Sequence, residues 1–251
     1  TPLERRVSLS PEGASTLVKA GAAVAIEDGA WTAASFIREQ YENGGATIGA
    51  DAQSVYGEAD VILKVSRPMI NDQLGIHEAD LVPENAVLIG LLKPLTSPEL
   101  VQMLVRRKVT SFALELVPRI ARAQRMDALS SQASIAGYKA ALVCAASIGR
   151  YLPLMMTAAG TLPPAKGLVL GAGVAGLQAI ATARRLGAVM WGFDVRPAVR
   201  DQVESLGARF IESESVAEAA GGYAQKLDQD SQARQRDLLH AHVREMDFVI
   251  T

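Results

Sequence analysis

The sequence predicts an α/β protein built as two Rossmann-like domains, with parallel sheets, separated by a cleft. Three observations carry this expectation. In the first half, apolar runs of strand length alternate with helical runs, which argues for a parallel sheet. In the second half, the run Leu168–Leu170 leads into Gly171-Ala172-Gly173-Val174-Ala175-Gly176, and a helix starts inside that turn. A further strand, Val189 to Phe193, ends at Asp194, eighteen residues beyond Gly176.

The first domain is expected over residues 1–131. Ser10-Pro11-Glu12 reads as a helix start, with serine as N-cap and proline at the first helical position. That helix should stop at Gly21, with a short strand over Ala22 to Ile26. Thr32 to Tyr41 is predicted as a second helix, closed by Gly44-Gly45. Asp60 to Val65 and Ala86 to Leu91 have few polar breaks and suit strands buried on both faces. Ser97-Pro98-Glu99 repeats the capped start of a helix running to about Arg107, and Val109 to Leu114 follows as a strand.

The second domain, residues 132–251, should begin with a long alanine-rich helix over Gln132 to Tyr151. Leu152 to Lys166 holds three prolines and reads as a connector. Beyond Asp194 come a helix at Pro197 to Leu206, a strand at Ala208 to Ile211, a helix at Ser231 to Arg244 and a last strand at Phe248 to Ile250. Units of this kind normally carry more strands beyond the switch in strand order, so the chain is expected to belong to a longer polypeptide.

Composition narrows the functional classes. With 49% hydrophobic and 21% charged residues, this is an ordinary soluble composition. The net charge of −2 suggests no nucleic-acid partner. Cys144 is the only cysteine, so neither a disulfide framework nor a thiolate metal site is expected, and no metal is assigned. The most apolar region, residues 140–160, is broken by Arg150 and Pro153. No membrane insertion or secretory signal is expected, and the location should be cytoplasmic.

The glycine turn has a specific chemistry. Gly171 permits the tight turn, Gly173 lets the backbone approach a pyrophosphate, and Gly176 lets the helix pack close to the strand. Phosphates would then lie on the N–H groups of the helix N-terminus. Asp194 is placed to accept hydrogen bonds from adenosine ribose hydroxyls and would repel a 2′-phosphate, which favours NAD over NADP. Arg196 is read as a solvated side chain preceding Pro197. The alternative to all of this is an αβ turn whose glycines serve packing alone.

Three stretches together resemble a known family. They are Pro118-Arg119 through Arg122, Gln124, Asp127 and Ser130 to Tyr138; Met156 through Gly160 and Pro163-Pro164 to Ala188; and Asp194-Val195-Arg196-Pro197 with Gln202 to Gly207. They are similar to the soluble NAD(H)-binding component of proton-translocating NAD(P) transhydrogenase, itself similar to alanine dehydrogenase. The resemblance implies direct hydride transfer, of the Si/Re-specific type, between NADH here and NADP⁺ on a partner subunit. It implies a membrane proton-channel component as second partner, a homodimer, and a peripheral position at the inner face of the cell membrane. Arg119, Gln124 and Asp127 are implied to do catalytic positioning, with Ser130 beside them at the nicotinamide. The remaining cofactor contacts implied are Gly171, Ala172, Gly173, Val174, Gly176, Asp194, Val195 and Arg196, with Tyr223 on a closing loop. Taken alone, Arg119 and Asp127 read as a solvated ion pair.

Two other functions remain open on the sequence. An alanine dehydrogenase needs a cation for the substrate carboxylate and an acid/base group beside the carbonyl. Arg6 and Lys64 match residues of that family, but Lys93 falls where its histidine is expected. His77, His240 and His242 read as solvated. A module that binds NAD only to sense it is the third reading.

Overall fold

The structure is a computed structural model and describes residues 4–212 and 229–251. It divides into two compact units, Thr1–Ala128 and Leu129–Thr251.

In the first unit α1 (Pro11–Lys19) is capped by Ser10, whose Oγ accepts from the Gly13 N–H at 3.2 Å. β1 (Ala25–Glu27) follows. The single helix expected over Thr32 to Tyr41 does not form: a 3₁₀ turn at Thr32–Ala34 is separated from α2 (Arg38–Asn43) by Ser35, at φ 64°. The reason lies in the aromatic residues. Trp31, Phe36 and Tyr41 all enter one buried cluster, yet residues five apart stand about 140° apart around an α-helix. Breaking the helix turns all three inward, and the Tyr41 hydroxyl then donates to the Leu9 carbonyl at 2.8 Å.

β2 (Thr47–Gly49) pairs in parallel with β1. α3 (Ala52–Tyr56) is capped by Asp51 and leads to β3 (Val61–Ser66). A short hairpin, β4 (Ile70–Asn71) and β5 (Ile76–His77), precedes β6 (Val87–Leu91), α4 (Pro98–Arg106) and β7 (Thr110–Ala113). β3, β6 and β7 form a parallel sheet in that order. Ser97 does not cap α4 as expected; its hydroxyl accepts from the Arg67 guanidinium instead.

The second unit opens with α5 (Ala128–Ser147), which starts earlier and ends earlier than the sequence suggests. The proline-rich connector contains a hairpin of β8 (Met155–Thr157) and β9 (Gly160–Leu162). β10 (Lys166–Leu170), α6 (Val174–Arg185) and β11 (Val189–Phe193) then form the expected strand–helix–strand unit. A 3₁₀ turn at Pro197–Val199 leads into α7 (Arg200–Ser205), so the helix expected there is shorter. β12 (Arg209–Ile211), α8 (Gln229–Val243) and β13 (Phe248–Ile250) complete the unit.

All four strands β10 to β13 are parallel, in the order β12-β11-β10-β13. The order runs outward from β10 in one direction and then resumes on its other side. The loop after β10 therefore lies at the switch point, where open α/β sheets bind their ligands. Val169, Ile180, Ala183, Met190 and Val203 fill the core on one side of this sheet together with Ala141 of α5. Asp247 fastens β13 to β10: its carboxylate accepts from the Lys166 N–H at 2.7 Å and the Arg150 guanidinium at 2.6 Å.

Two helix glycines are set by backbone contact. A Cβ on Gly137 of α5 would lie 2.0 Å from the Ala175 carbonyl oxygen of α6, and one on Gly176 only 1.9 Å from that of Gly171. Glycine to alanine within a helix ordinarily stabilises by about 1 kcal/mol. Here the obstructing atoms are backbone and cannot swing aside. Gly176→Ala should therefore lower stability by about 1–3 kcal/mol. Urea unfolding followed by circular dichroism checks this, and a variant as stable as the parent would refute the contact.

Candidate functional site

The site is built where β10 ends. Gly171 turns the chain at φ 97°, a conformation L side chains rarely adopt, and its N–H donates to the Phe193 carbonyl at 2.8 Å. Ala172 is 1% exposed, and its N–H donates to Oδ2 of Asp194 at 2.8 Å. The carboxylate at the end of β11 thus holds the glycine turn at the end of β10. Gly173 is the N-cap of α6, and no side chain caps that helix. Its first-turn N–H groups and the positive end of its dipole suit an anion.

The three glycines are needed for different reasons. Gly171 is required by its φ and Gly176 by the neighbouring carbonyl. Gly173 has neither constraint: its φ of −80° is open to any residue, and a Cβ there would meet no described atom within 4 Å. Among the described residues nothing calls for glycine at 173. The open space there would suit close approach by a pyrophosphate.

Asp194 is 8% exposed and more tightly held than its sequence position suggests. Oδ1 accepts from the Arg196 backbone N–H and from its Nε, both at 2.9 Å, and Oδ2 accepts from its Nη2 at 2.9 Å. Arg196 is therefore not the solvated side chain expected from the sequence: it is half-buried and grips Asp194 through two guanidinium nitrogens. Burial pushes the Asp194 carboxyl up, but the hydrogen bonds from Arg196 and Ala172 outweigh it and hold the group below the ordinary aspartate value. Val195 packs against the cluster of Leu168, Phe193 and Ile211, and Val174, the first residue of α6, is 41% exposed.

The stretch from Arg119 to Ser130 makes a second group of candidates. Residues Ala121–Met126 form a 3₁₀ helix, with Arg119 and Gln124 exposed and Asp127 half-buried at its end. The Asp127 N–H donates to the Gln124 carbonyl at 3.3 Å. Arg119, Gln124 and Asp127 belong to the first unit, whereas Ser130, in the first turn of α5, belongs to the second. Tyr223 lies outside the described residues.

The residues matching an alanine dehydrogenase are engaged in ion pairs. The Arg6 guanidinium binds Glu4 at 2.8 Å and holds its carboxyl at about 2. Ser66 also donates to Glu4, at 2.9 Å. Lys64 Nζ lies 2.9 Å from Glu78 Oε2, with the two side chains only 14% and 9% exposed. The same Glu78 oxygen accepts from the Met69 N–H at 3.0 Å. Sequence reasoning misses Glu78, since nothing at the start of a 3₁₀ turn marks it as the partner of a strand lysine. It misses Glu115 too, which accepts from the N–H groups of Leu92 and Lys93. That clasp holds Lys93 in the left-handed region, at φ 52°. His77 is not simply solvated, since its Nδ1 accepts from the Ala79 N–H at 3.1 Å.

An apolar groove of about 450 Å³ in the first unit is lined by Leu92, Leu100, Leu104, Phe112, Leu116 and Val117, among others. No ionisable side chain among the described residues lines it.

A parallel sheet with a glycine turn at its switch point, clamped by an acidic residue, defines a Rossmann-type α/β unit, here preceded by a second α/β unit. Residues 1–136 match the family described as alanine dehydrogenase/PNT, N-terminal domain, and residues 140–251 match its C-terminal domain. The chain belongs to this alanine dehydrogenase/PNT family. It is 47% identical over 254 residues to the first part of NAD(P) transhydrogenase subunit alpha from Rhodospirillum rubrum, covering 100% of this chain and 66% of that protein. It is 31% identical to alanine dehydrogenase 2 of Staphylococcus aureus, over 81% of this chain and 53% of that one. Among solved structures, transhydrogenase from Sinorhizobium meliloti matches with a TM-score of 0.86 at 44% identity, over 99% of this chain and 66% of that one. The chain thus spans about two thirds of the length of these transhydrogenase relatives. No helix among the described residues is long and apolar enough to cross a membrane.

Charge placement at the two paired carboxylates can be tested directly. Asp194 titrates lower folded than unfolded, so its contribution is present above the unfolded value of about 4 and is lost as pH falls through the lower folded value. Melting temperature should therefore drop on acidification below about pH 4, and Asp194→Asn should flatten that part of the profile. An unchanged slope would show that the carboxylate is not held as described. For the buried pair, Lys64→Met strands Glu78 and should cost about 3–5 kcal/mol. Lys64→Met with Glu78→Gln, which removes the stranded charge but keeps an acceptor for the Met69 N–H, should recover much of that loss in the same denaturation assay.

Proposed function

We propose that this chain is the NAD(H)-binding component of a proton-translocating, Si/Re-specific NAD(P) transhydrogenase. It holds NADH and passes hydride directly to NADP⁺ bound on a partner subunit. A membrane proton-channel component couples the transfer to proton movement. The chain works as a homodimer, cytoplasmic and peripheral at the inner membrane face through those partners. Gly173 is the observation that carries the reading, because among the described residues nothing requires a glycine there, and it stands beside a helix N-terminus that suits a phosphate. The names and extent of the transhydrogenase relatives support the particular reaction.

The residues divide the work. Gly171, Ala172, Gly173, Val174 and Gly176 shape the pyrophosphate seat, while Asp194, with Val195 and Arg196 next to it, receives the adenosine ribose. Arg119, Asp127 and Ser130 orient the nicotinamide end, and the loop that carries Tyr223 closes over the bound nucleotide. Bound NADH supplies the hydride; no acid or base is required for its passage to a second nicotinamide, so the protein's task is orientation. Gln124, with an amide that both donates and accepts, bridges toward the second nucleotide without adding charge.

Alanine dehydrogenation is less well supported. Arg6 and Lys64 are already paired with Glu4 and Glu78, and Lys93 stands where the acid/base histidine is expected.

The deciding experiment mixes the chain with an NADP(H)-binding partner component and follows NADH oxidation against NADP⁺ reduction. Transfer supports the proposal; turnover of pyruvate with ammonium instead would select the dehydrogenase, and binding without any turnover a sensing module. Gln124→Asn sharpens the test. It should leave NADH affinity unchanged and slow transfer by up to roughly a hundredfold, as small misplacement of reacting rings does. Unaltered transfer would reduce Gln124 to a loop residue.

A further inference from the structure

The Asp194 carboxylate has about four lone-pair sites, and the structure fills four. Two go to backbone N–H groups, those of Ala172 and Arg196, which are fixed by the turn itself. The other two go to Nε and Nη2 of the Arg196 guanidinium, each at 2.9 Å. A ribose diol offers two hydroxyl donors. The sites it needs are the two that the guanidinium holds.

We propose that the Arg196 side chain is a built-in competitor for the ribose seat, which the adenosine ribose must displace from Asp194, and that it sets cofactor affinity and exchange. The inference rests on the NAD(H) reading above. The exposures of the two partners support this direction. The Asp194 side chain is 6% exposed and anchored to the glycine turn, whereas that of Arg196 is 23% exposed and reaches solvent. A planar fork matches a carboxylate in two-point fashion, as a vicinal diol does. Arg196 also keeps the buried carboxylate satisfied and charged between occupants. The arrangement avoids an unpaired buried charge and weakens nucleotide binding in exchange. For a component that must exchange its nucleotide every turnover, a competitor within the chain limits residence time.

The test is NADH titration by fluorescence with the unaltered chain, Arg196→Ala and Arg196→Lys. Removing the fork should tighten NADH binding by roughly tenfold, the size of one charge-assisted hydrogen bond. Arg196→Lys keeps the charge without the fork and should also bind more tightly, which guards against a folding defect in the alanine variant. An NADH analogue with 2′,3′-dideoxyadenosine makes no claim on the Asp194 lone pairs, so with it the gain from either substitution should vanish. A merely structural arginine would not respond to the hydroxyls of the ligand. Unchanged or weaker NADH binding in both variants overturns the inference alone, as does a gain that persists with the dideoxy analogue. If the unaltered chain does not bind NADH, the cofactor reading falls and this inference with it.

Discussion

The hydrogen bond from the Ala172 N–H to the Asp194 carboxylate is the constraint on which the second unit depends. It joins the ends of two neighbouring parallel strands, just where the sheet reverses its strand order. Because the acceptor is ionised and buried, this is one of the stronger kinds of hydrogen bond. Its loss would leave a buried N–H and a buried carboxylate short of partners. The turn is therefore shaped before any ligand arrives. The open space beside Gly173 and the uncapped start of α6 both follow from that fixed turn.

The first unit solves a related problem with different groups. Lys64 lies within β3, an edge strand of the three-stranded sheet, with its side chain only 14% exposed, where a lone cation would be costly. Glu78 answers it from a 3₁₀ turn after the β4–β5 hairpin. Close strand packing adds a further demand, because a Cβ on Gly90 would lie 2.4 Å from the Lys64 carbonyl oxygen. A lysine and a glycine thus sit side by side on adjacent strands of one small sheet. Both are weak points when read from the sequence, and each is explained only by its neighbours in space.

Much of this is legible in the sequence, and the limits are physical. The glycine turn, its flanking strands and Asp194 stand within one local unit, so their spacing alone carries the geometry. The Thr32–Tyr41 stretch misleads because its periodicity is acceptable locally, while the burial of Trp31, Phe36 and Tyr41 in one cluster is a tertiary demand. Ser97 misleads because capping competes with a better partner, Arg67, thirty residues away. Arg196 misleads for the opposite reason. Its partner is two residues off, but an i,i+2 ion pair depends on the turn that Pro197 opens, and no periodic pattern records that. Glu78 and Glu115 act over 14 and 22–23 residues. Separations of that kind leave no trace in composition or period.

The contact between Gly137 and the Ala175 carbonyl has a mechanical meaning. It brings α5 against α6 through backbone atoms, so their spacing at this point depends on no rotamer. Ser130 stands seven residues before Gly137, roughly 10 Å along the same rod. The glycine turn lies at the start of the other. At that one crossing the spacing of the two helices is set by main-chain atoms, so side-chain changes along the outer faces of either helix would leave the crossing distance unaltered.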